Sequence, residues 1–316
     1  MHPFDPHASL PPLDASSAGS VVNALRAGAS ANRNALCRKG AIDVIHAPGE
    51  LIATGDLHDN PTNYRKLVMR AGMTLHEAGL DEQAPAQGPA STPSHLTLHE
   101  IIHSDRLWQG MDMSYRMLTR VAHLKARYPE HVHTLLGNHE LAQLMNSTVM
   151  KDGVKCVQAY NEGLDYVFGD DAPMVREASD DFIRSMPLAL EAHTPAGVLL
   201  CAHSLPPAGA MQRFDATILH RNLTPDDYTP RIGSAYTMVW GRGYDAEGLE
   251  DLVERWGVTM FILGHEKAEE GVLFVPPNAI VLASDHERGT FLPIDLANPP
   301  KPHKAKDQVV WLAELA

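Results

Sequence analysis

Four apolar runs in this chain end in the same way, and the repetition restricts the fold more than any other feature: LIATGDLHDN (51–60), VHTLLGNHE (132–140), GVLLCAHS (197–204) and MFILGHE (260–266). Each is followed by a turn that delivers a histidine: His58, His139, His203 or His265. Short aliphatic runs bounded by turn residues and alternating with helical patterns read as strands of an α/β architecture. Loops after the carboxyl ends of strands in such sheets open on one crevice, so histidines scattered along the chain can meet there. Gly55, Gly137 and Gly264 precede three of the turns. Glycine lets the backbone turn sharply and lets ligands approach without an intervening side chain.

Helical spacing marks the segments between the runs. Ser20–Asn34 carries Val21, Val22, Leu25 and Ala29 on one face; Pro61–Ala71 starts on proline; Met111–Arg127 repeats Met113, Met117, Leu118, Val121 and Leu124. Two more helices are expected within Gly153–Ser185 and another at Ala246–Trp256. AIDVIHAPGELIATGD reads as a β-hairpin about Ala47-Pro48-Gly49, and the tail beyond GVLFV as mostly β. Residues 1–19 are expected to form a loose extension, and 20–316 a single domain with a helical insertion at about 141–186. The breaker-rich stretch 81–94 is expected to be a surface loop.

With 26 Lys and Arg against 39 Asp and Glu, the net charge is −13, which disfavours nucleic acid and anionic membranes as partners. No apolar run approaches the roughly 20 residues that span a bilayer. The N-terminus lacks a secretory pattern, and Cys37, Cys156 and Cys201 are far apart without a CxxC, so a cytoplasmic location is expected. Against this background, 18 histidines stand out. Asp56 and His58 alternate across one turn, and Asn138 adds a neutral oxygen beside His139. This mixed nitrogen and oxygen set suits Mn, Fe or Zn, and its size exceeds the needs of one tetrahedral ion. Two adjacent divalent metal ions are therefore expected, an arrangement that serves phosphoester hydrolysis.

The ordered blocks Gly55-Asp56-Leu57-His58-Asp59, Gly137-Asn138-His139-Glu140, His203-Ser204 and Gly264-His265 resemble the calcineurin-like metallophosphoesterase superfamily, in particular its protein Ser/Thr phosphatase and symmetrical dinucleotide tetraphosphatase branch. The resemblance runs from about Leu51 to His265. It implies an α/β fold, the metallophosphatase-type α/β/β/α sandwich with two mixed β-sheets. It further implies that Asp56 and His58 hold one metal and Asn138, His203 and His265 the other, with a carboxylate bridging them. His139 would be the general acid for a water activated between the metals. Lys267 stands where some members carry a further histidine. The partner expected is a phosphorylated substrate, a phosphoprotein or a small phosphoester.

The family's second block, GDxxDRG, is missing, and HLTLHEIIHS replaces it. Strand-like alternation of Leu96 and Leu98 puts Glu100 at the bridging position and His103 where a carboxylate would orient the catalytic imidazole. Asp105 is the rival bridging residue. Loss of the orienting carboxylate removes a negative partner from His139. The same segment contains His99-Glu100-Ile101-Ile102-His103, which satisfies the HExxH pattern of a zinc metalloprotease helix. That reading, and a catalytically degenerate phosphatase fold acting as a binding module, are the alternatives. Arg242 is a candidate phosphate ligand, since a guanidinium fork matches phosphate oxygens, with Arg106 a weaker one. Asp59, where the family has Gly, can adopt a left-handed turn, and Cys201 is expected to be a core residue.

Overall fold

A computed structural model describes residues 12–76, 78–80 and 92–315; residues 1–11 of the expected extension and 81–91 of the expected surface loop lie outside them. Along the chain run helix α1 (Ala18–Asn34), strands β1 (Arg38–Lys39), β2 (Ile42–His46) and β3 (Glu50–Thr54), α2 (Pro61–Arg70), β4 (His95–His99), α3 (Tyr115–Arg127), β5 (Val132–Leu135) and α4 (Asn138–Leu144). The short pair β6 (Met150–Lys151) and β7 (Val154–Lys155) leads into α5 (Cys156–Phe168) and α6 (Ala172–Ser185). Then come β8 (Ala189–Thr194), β9 (Gly197–Ala202), α7 (Ser234–Val239), α8 (Ala246–Trp256), β10 (Val258–Leu263), β11 (Val272–Val275), β12 (Ala279–Leu282), β13 (Thr290–Asp295), α9 (Pro302–Ala305) and β14 (Val310–Trp311). The helix starts follow local chemistry. Asn60 accepts from the Asn63 amide at 3.0 Å ahead of Pro61, and Asp245 accepts from the Gly248 amide at 2.8 Å at the head of α8.

The strands form a seven-stranded sheet, β1-β2-β8-β9-β10-β12-β11, and a five-stranded sheet, β14-β13-β3-β4-β5. Both are mixed. In the first, β9, β10 and β12 run parallel; in the second, β3, β4 and β5 do. Side chains alternate between two cores along each strand, as the period of a strand requires. Leu51, Ala53, Cys201, Met260, Ile262, Ile280 and Leu282 fill the space between the sheets. Their neighbours Ile52, Leu200, Ala202, Phe261, Leu263 and Val281 pack outward with the helices. Strands buried on both faces are why the sequence shows unbroken apolar runs. The result is the sandwich with two mixed sheets flanked by helices. No helix among the described residues is long and apolar enough to cross a membrane.

The expected hairpin at 41–56 is not formed. β2 pairs with β8 in the seven-stranded sheet, and β3 pairs with β13 and β4 in the other. The chain crosses between sheets at the turn. Ala47 N–H donates to the His193 carbonyl beside β8, whereas the Gly49 carbonyl accepts from Leu296 beyond β13. Each strand has apolar side chains for both faces, so each gains more from the middle of a sheet than from a two-stranded ribbon.

The parallel strands bring their carboxyl ends to one edge. Asp56, just past β3, forms parallel bridges to His99 in the second sheet and to Ala283 beyond β12 in the first. The sheets meet through this residue. A Cβ at Gly55 would lie 1.9 Å from the Leu282 carbonyl oxygen, so only glycine allows so close an approach.

Candidate metal centre

At the shared edge of the sheets lies a cleft of about 610 Å³, lined among others by Asp56, His58, Glu100, Asn138, His139, Arg242, His265 and Lys267. His203, just past β9, is fully buried against two of these residues, Asn138 and His265. The six residues expected from the sequence to hold metal, Asp56, His58, Glu100, Asn138, His203 and His265, are thus brought together with His139 and Arg242. Four backbones here take left-handed conformations, at His58 (φ 40°), Glu100 (φ 49°), His103 (φ 62°) and His265 (φ 66°). Such non-glycine positions are uncommon and cluster at functional sites.

Donor atoms crowd around Asp56. Its Oδ1 is 3.3 Å from His203 Nδ1 and 3.4 Å from His99 Nδ1, and both carboxylate oxygens accept from the His265 amide, at 3.0 and 3.1 Å. On its other side the His203 ring has Nε2 2.8 Å from Asn138 Oδ1, 3.0 Å from His265 Nδ1 and 3.7 Å from Glu100 Oε2. Although burial opposes ionisation, His203 and His99 hold the Asp56 carboxyl well below its usual range. Glu100 goes the other way. Burial, then the Glu140 and Asp56 carboxylates, push it well above the usual range. Burial likewise lowers His203, and lowers His265 to about 2, with its imidazole neighbours adding to the shift.

Glu100 sits at the middle of the set. Its Oε1 faces His139 Nε2 at 3.6 Å and His58 Nε2 at 3.9 Å, and its Oε2 accepts from the His139 amide at 3.2 Å and faces His203. The rival Asp105 is exposed at the rim, where it pairs with Lys151 at 2.9 Å. Glu140, buried beside Glu100, accepts from the amides of Ile101 (2.6 Å) and Ile102 (3.1 Å), which fixes the loop after β4. Asn138 and His139 occupy the first turn of α4, where β5 delivers them through Gly137.

His103 lies against His139, Nδ1 to Nδ1, at 2.8 Å. Its Nε2 is 3.3 Å from Gln143 Oε1, an acceptor whose own amide nitrogen donates to Asn161. His103 therefore carries its proton on Nε2 and accepts from His139 Nδ1–H, which leaves His139 Nε2 facing the cleft. Burial, then His103 and His58, depress the proton affinity of His139, and burial lowers His103 to about 3. The neutral acceptor gives an imidazolium at His139 less support than a carboxylate would.

Arg242 donates to the His265 carbonyl at 2.7 Å and faces Glu266 at 3.8 Å, with its side chain half exposed over the cleft. Arg106 instead turns to the Asp59 carbonyl. Asp59 has φ 55°, in the left-handed turn its position requires. The HExxH helix does not form: His99 ends β4, and Glu100 and His103 have positive φ in the segment that follows. His99 faces Asp56 and His203 while His103 faces His139, so the pair does not converge on one ion as a peptidase helix would make it do. Sequence reasoning missed three participants: His99 as a neighbour of Asp56, Glu140 as the clamp on the loop, and Gln143 as the residue that sets the His103 tautomer. Glu140 carried a signal in its place in GNHE and His99 in the HExxH string; Gln143 carried none.

No family model matches the sequence, and no curated protein matches it in sequence. Similarity is found in three dimensions. A protein serine/threonine phosphatase from Saccharomyces cerevisiae superposes with a TM-score of 0.58 at 15% identity, over 88% of this chain and 83% of that one. The chain has the fold of this phosphatase. A cold-active protein-tyrosine phosphatase from a psychrophilic Shewanella species shares it, with a TM-score of 0.54 at 15% identity, over 80% of this chain and 77% of the other. The α/β/β/α sandwich implied by the sequence blocks is thus the observed architecture.

Proposed function

We propose that the chain is a metal-dependent phosphoesterase of calcineurin-like type that hydrolyses phosphate esters with a water activated between two divalent ions, Mn, Fe or Zn. One observation carries this reading. The Glu100 carboxylate turns one oxygen toward His58 and the other toward His203, so a single side chain addresses both halves of the donor set. The residues also fit cations chemically. His265 Nε2 is buried without a hydrogen-bond partner, and Glu100 is pushed toward protonation by burial and then by the Glu140 and Asp56 carboxylate charge, which cations would neutralise. The ligands would be Asp56 and His58 on one side and Asn138, His203 and His265 on the other, with Glu100 between. Bound there, divalent ions would lower the pKa of a shared water and draw charge from phosphoryl oxygens.

The protein's own groups do the rest. His139 Nε2 faces the cleft; a proton taken up there from solvent, making the ring an imidazolium, would pass to the leaving oxygen, while His103 accepts from Nδ1–H and holds the ring in place. Arg242, fixed by the His265 carbonyl, would hold phosphate oxygens with its exposed guanidinium edge. Lys151 and Lys267 add positive charge at the rim of an otherwise acidic protein. The substrate is a phosphoprotein or a small phosphoester, with no nucleic-acid or membrane partner, in a cytoplasmic setting. The fold shared with a serine/threonine and a tyrosine phosphatase supports this class. The test combines metal analysis with Mn-supplemented hydrolysis of a chromogenic phosphomonoester by wild type, Asp56→Asn, Glu100→Gln and His139→Ala. Each variant is expected to lose most activity, and the first two to lose metal. Turnover unaffected by Asp56→Asn would overturn the reading; two bound metals without turnover of any phosphoester would favour a binding module.

A further inference from the structure

His99 stands outside the ligand set assigned above, yet its geometry is that of a ligand. It occupies the position at which the GDxxDRG pattern has glycine, and it is buried. Its Nε2 is 2.8 Å from the Thr54 carbonyl, an acceptor only, so the ring proton is on Nε2 and Nδ1 presents a lone pair. A ligating histidine shows this arrangement, its second nitrogen tied to a backbone carbonyl. The lone pair points at His203 Nδ1, 3.2 Å away, and at Asp56 Oδ1, 3.4 Å away, and the His203 to Asp56 distance is 3.3 Å. These three acceptors form a nearly equilateral triangle that can share at most one proton, the one His203 would carry on Nδ1. Its edge matches the roughly 3.3 Å that separates donors about 2.0 Å from a tetrahedral zinc ion. A Cβ at Gly264 would fall 2.3 Å from Asp56 Oδ1 and 2.5 Å from His99 Cε1, so a residue without a side chain covers the triangle.

We propose that His99, Asp56 and His203 form an alternative three-ligand cation site that takes a nitrogen-preferring, zinc-type divalent ion. It goes beyond the two-metal reading and shares only Asp56 and His203 with it. A neutral His203 offers one lone pair: through Nε2 it serves the group of Asn138, His265 and Glu100, and through Nδ1 it serves the triangle. The two arrangements exclude each other. Zinc in the triangle withdraws His203 from the phosphoesterase set.

The test uses the full chain, stripped with a chelator and given one equivalent of zinc or cobalt(II) alone. Nitrogen-15 NMR of the wild-type imidazoles is expected to show two Nδ1 resonances moving to the metal-bound region; movement confined to Nε2 resonances would overturn the proposal. His99→Cys is expected to give an intense near-ultraviolet thiolate-to-cobalt absorption. Bound cobalt without that band would refute ligation at this position. Zinc affinity is expected to fall at least tenfold in His99→Gln and to stay unchanged for the first equivalent in His58→Gln. The opposite order would sink the triangle and leave the two-metal reading standing. A cobalt–thiolate band in His99→Cys with no phosphoester turnover in wild type would sustain the triangle and sink the other reading.

Discussion

Gly137→Ala tests whether the donor set depends on fine placement of Glu100. Gly137 has φ −95° and ψ 169°, a conformation alanine adopts freely, so the backbone has no objection to the change. The objection is steric. The new Cβ would lie 2.3 Å from Glu100 Oε2 and 2.5 Å from Glu140 Oε2, both on buried side chains. Carbon rarely approaches oxygen within 3.0 Å, so from 2.3 Å the Glu100 carboxylate has to retreat by about 0.7 Å. Glu140 is pinned by the Ile101 and Ile102 amides, and Glu100 would surrender its hydrogen bond from the His139 amide. Misplacement of about 1 Å in a catalytic array costs on the order of a hundredfold, or about 2.7 kcal/mol of barrier. Overpacking of a core destabilises by about 1–3 kcal/mol, which leaves the variant folded if its stability is ordinary. The expected outcome is a roughly hundredfold fall in kcat/KM on an aryl phosphomonoester, with a cooperative melt retained. Gly209→Ala, where a Cβ meets nothing within 4 Å, is the control and should behave as wild type. A Gly137→Ala protein with full metal content and kcat/KM within about threefold of wild type would refute the argument that this array tolerates little displacement.

Acid should weaken the metal-free protein early. Burial lowers His95 and His103 to about 3, so between that value and the ordinary 6.5 the unfolded chain binds protons that the folded chain refuses. Stability then rises with pH across this window by up to about 1.4 kcal/mol per pH unit for each group and levels off above it. Urea midpoints in chelator that match at pH 7.5 and 5.5 would contradict this. Lys125, fully buried, donates to the carbonyls of Pro129 (2.7 Å) and Val132 (2.8 Å) and lies 3.9 Å from Asp43. Lys125→Met should cost about 3–5 kcal/mol. Adding Asp43→Asn should cost less than the sum of the single changes, and strict additivity in denaturant unfolding would argue against coupling. His103→Asp puts a carboxylate against His139 Nδ1 and should raise turnover of an alkyl phosphomonoester relative to an aryl one, because the poorer leaving group needs the proton more. An unchanged ratio would remove His139 from leaving-group protonation.

What the sequence showed and what it hid follow from different physics. The runs ending at Asp56, Asn138, His203 and His265 were legible because strands buried on both faces leave continuous apolar signatures, and because loops at parallel strand ends converge by topology. The same signature concealed the partners of β2 and β3. Two apolar strands joined by a short turn look like a hairpin, and only tertiary pairing reveals that they serve different sheets. α3 begins at Tyr115, after the Met111 that periodicity suggested, because Asp112 accepts from the Ser114 amide at 2.8 Å and the chain is still turning there. His99 was hidden for another reason. It sits in the strand, one residue before the glutamate that drew attention, and its contact with Asp56 spans two strands. Tautomers such as those of His99 and His103 depend on Thr54 and Gln143, whose roles no spacing in the chain encodes.

The crossing at Ala47–Gly49 bears on how the protein matures. β2 finds its partner in β8, and β3 finds one in β13, near the far end of the chain. Asp56 itself is braced by Ala283, and its carbonyl by the Ser284 amide. During synthesis Asp56, the first of the candidate ligands, therefore emerges long before the strands that position it. A nascent chain displays the residues of the candidate centre without the centre, and any ion held by Asp56 together with its partners would have to wait until β12 and β13 have docked.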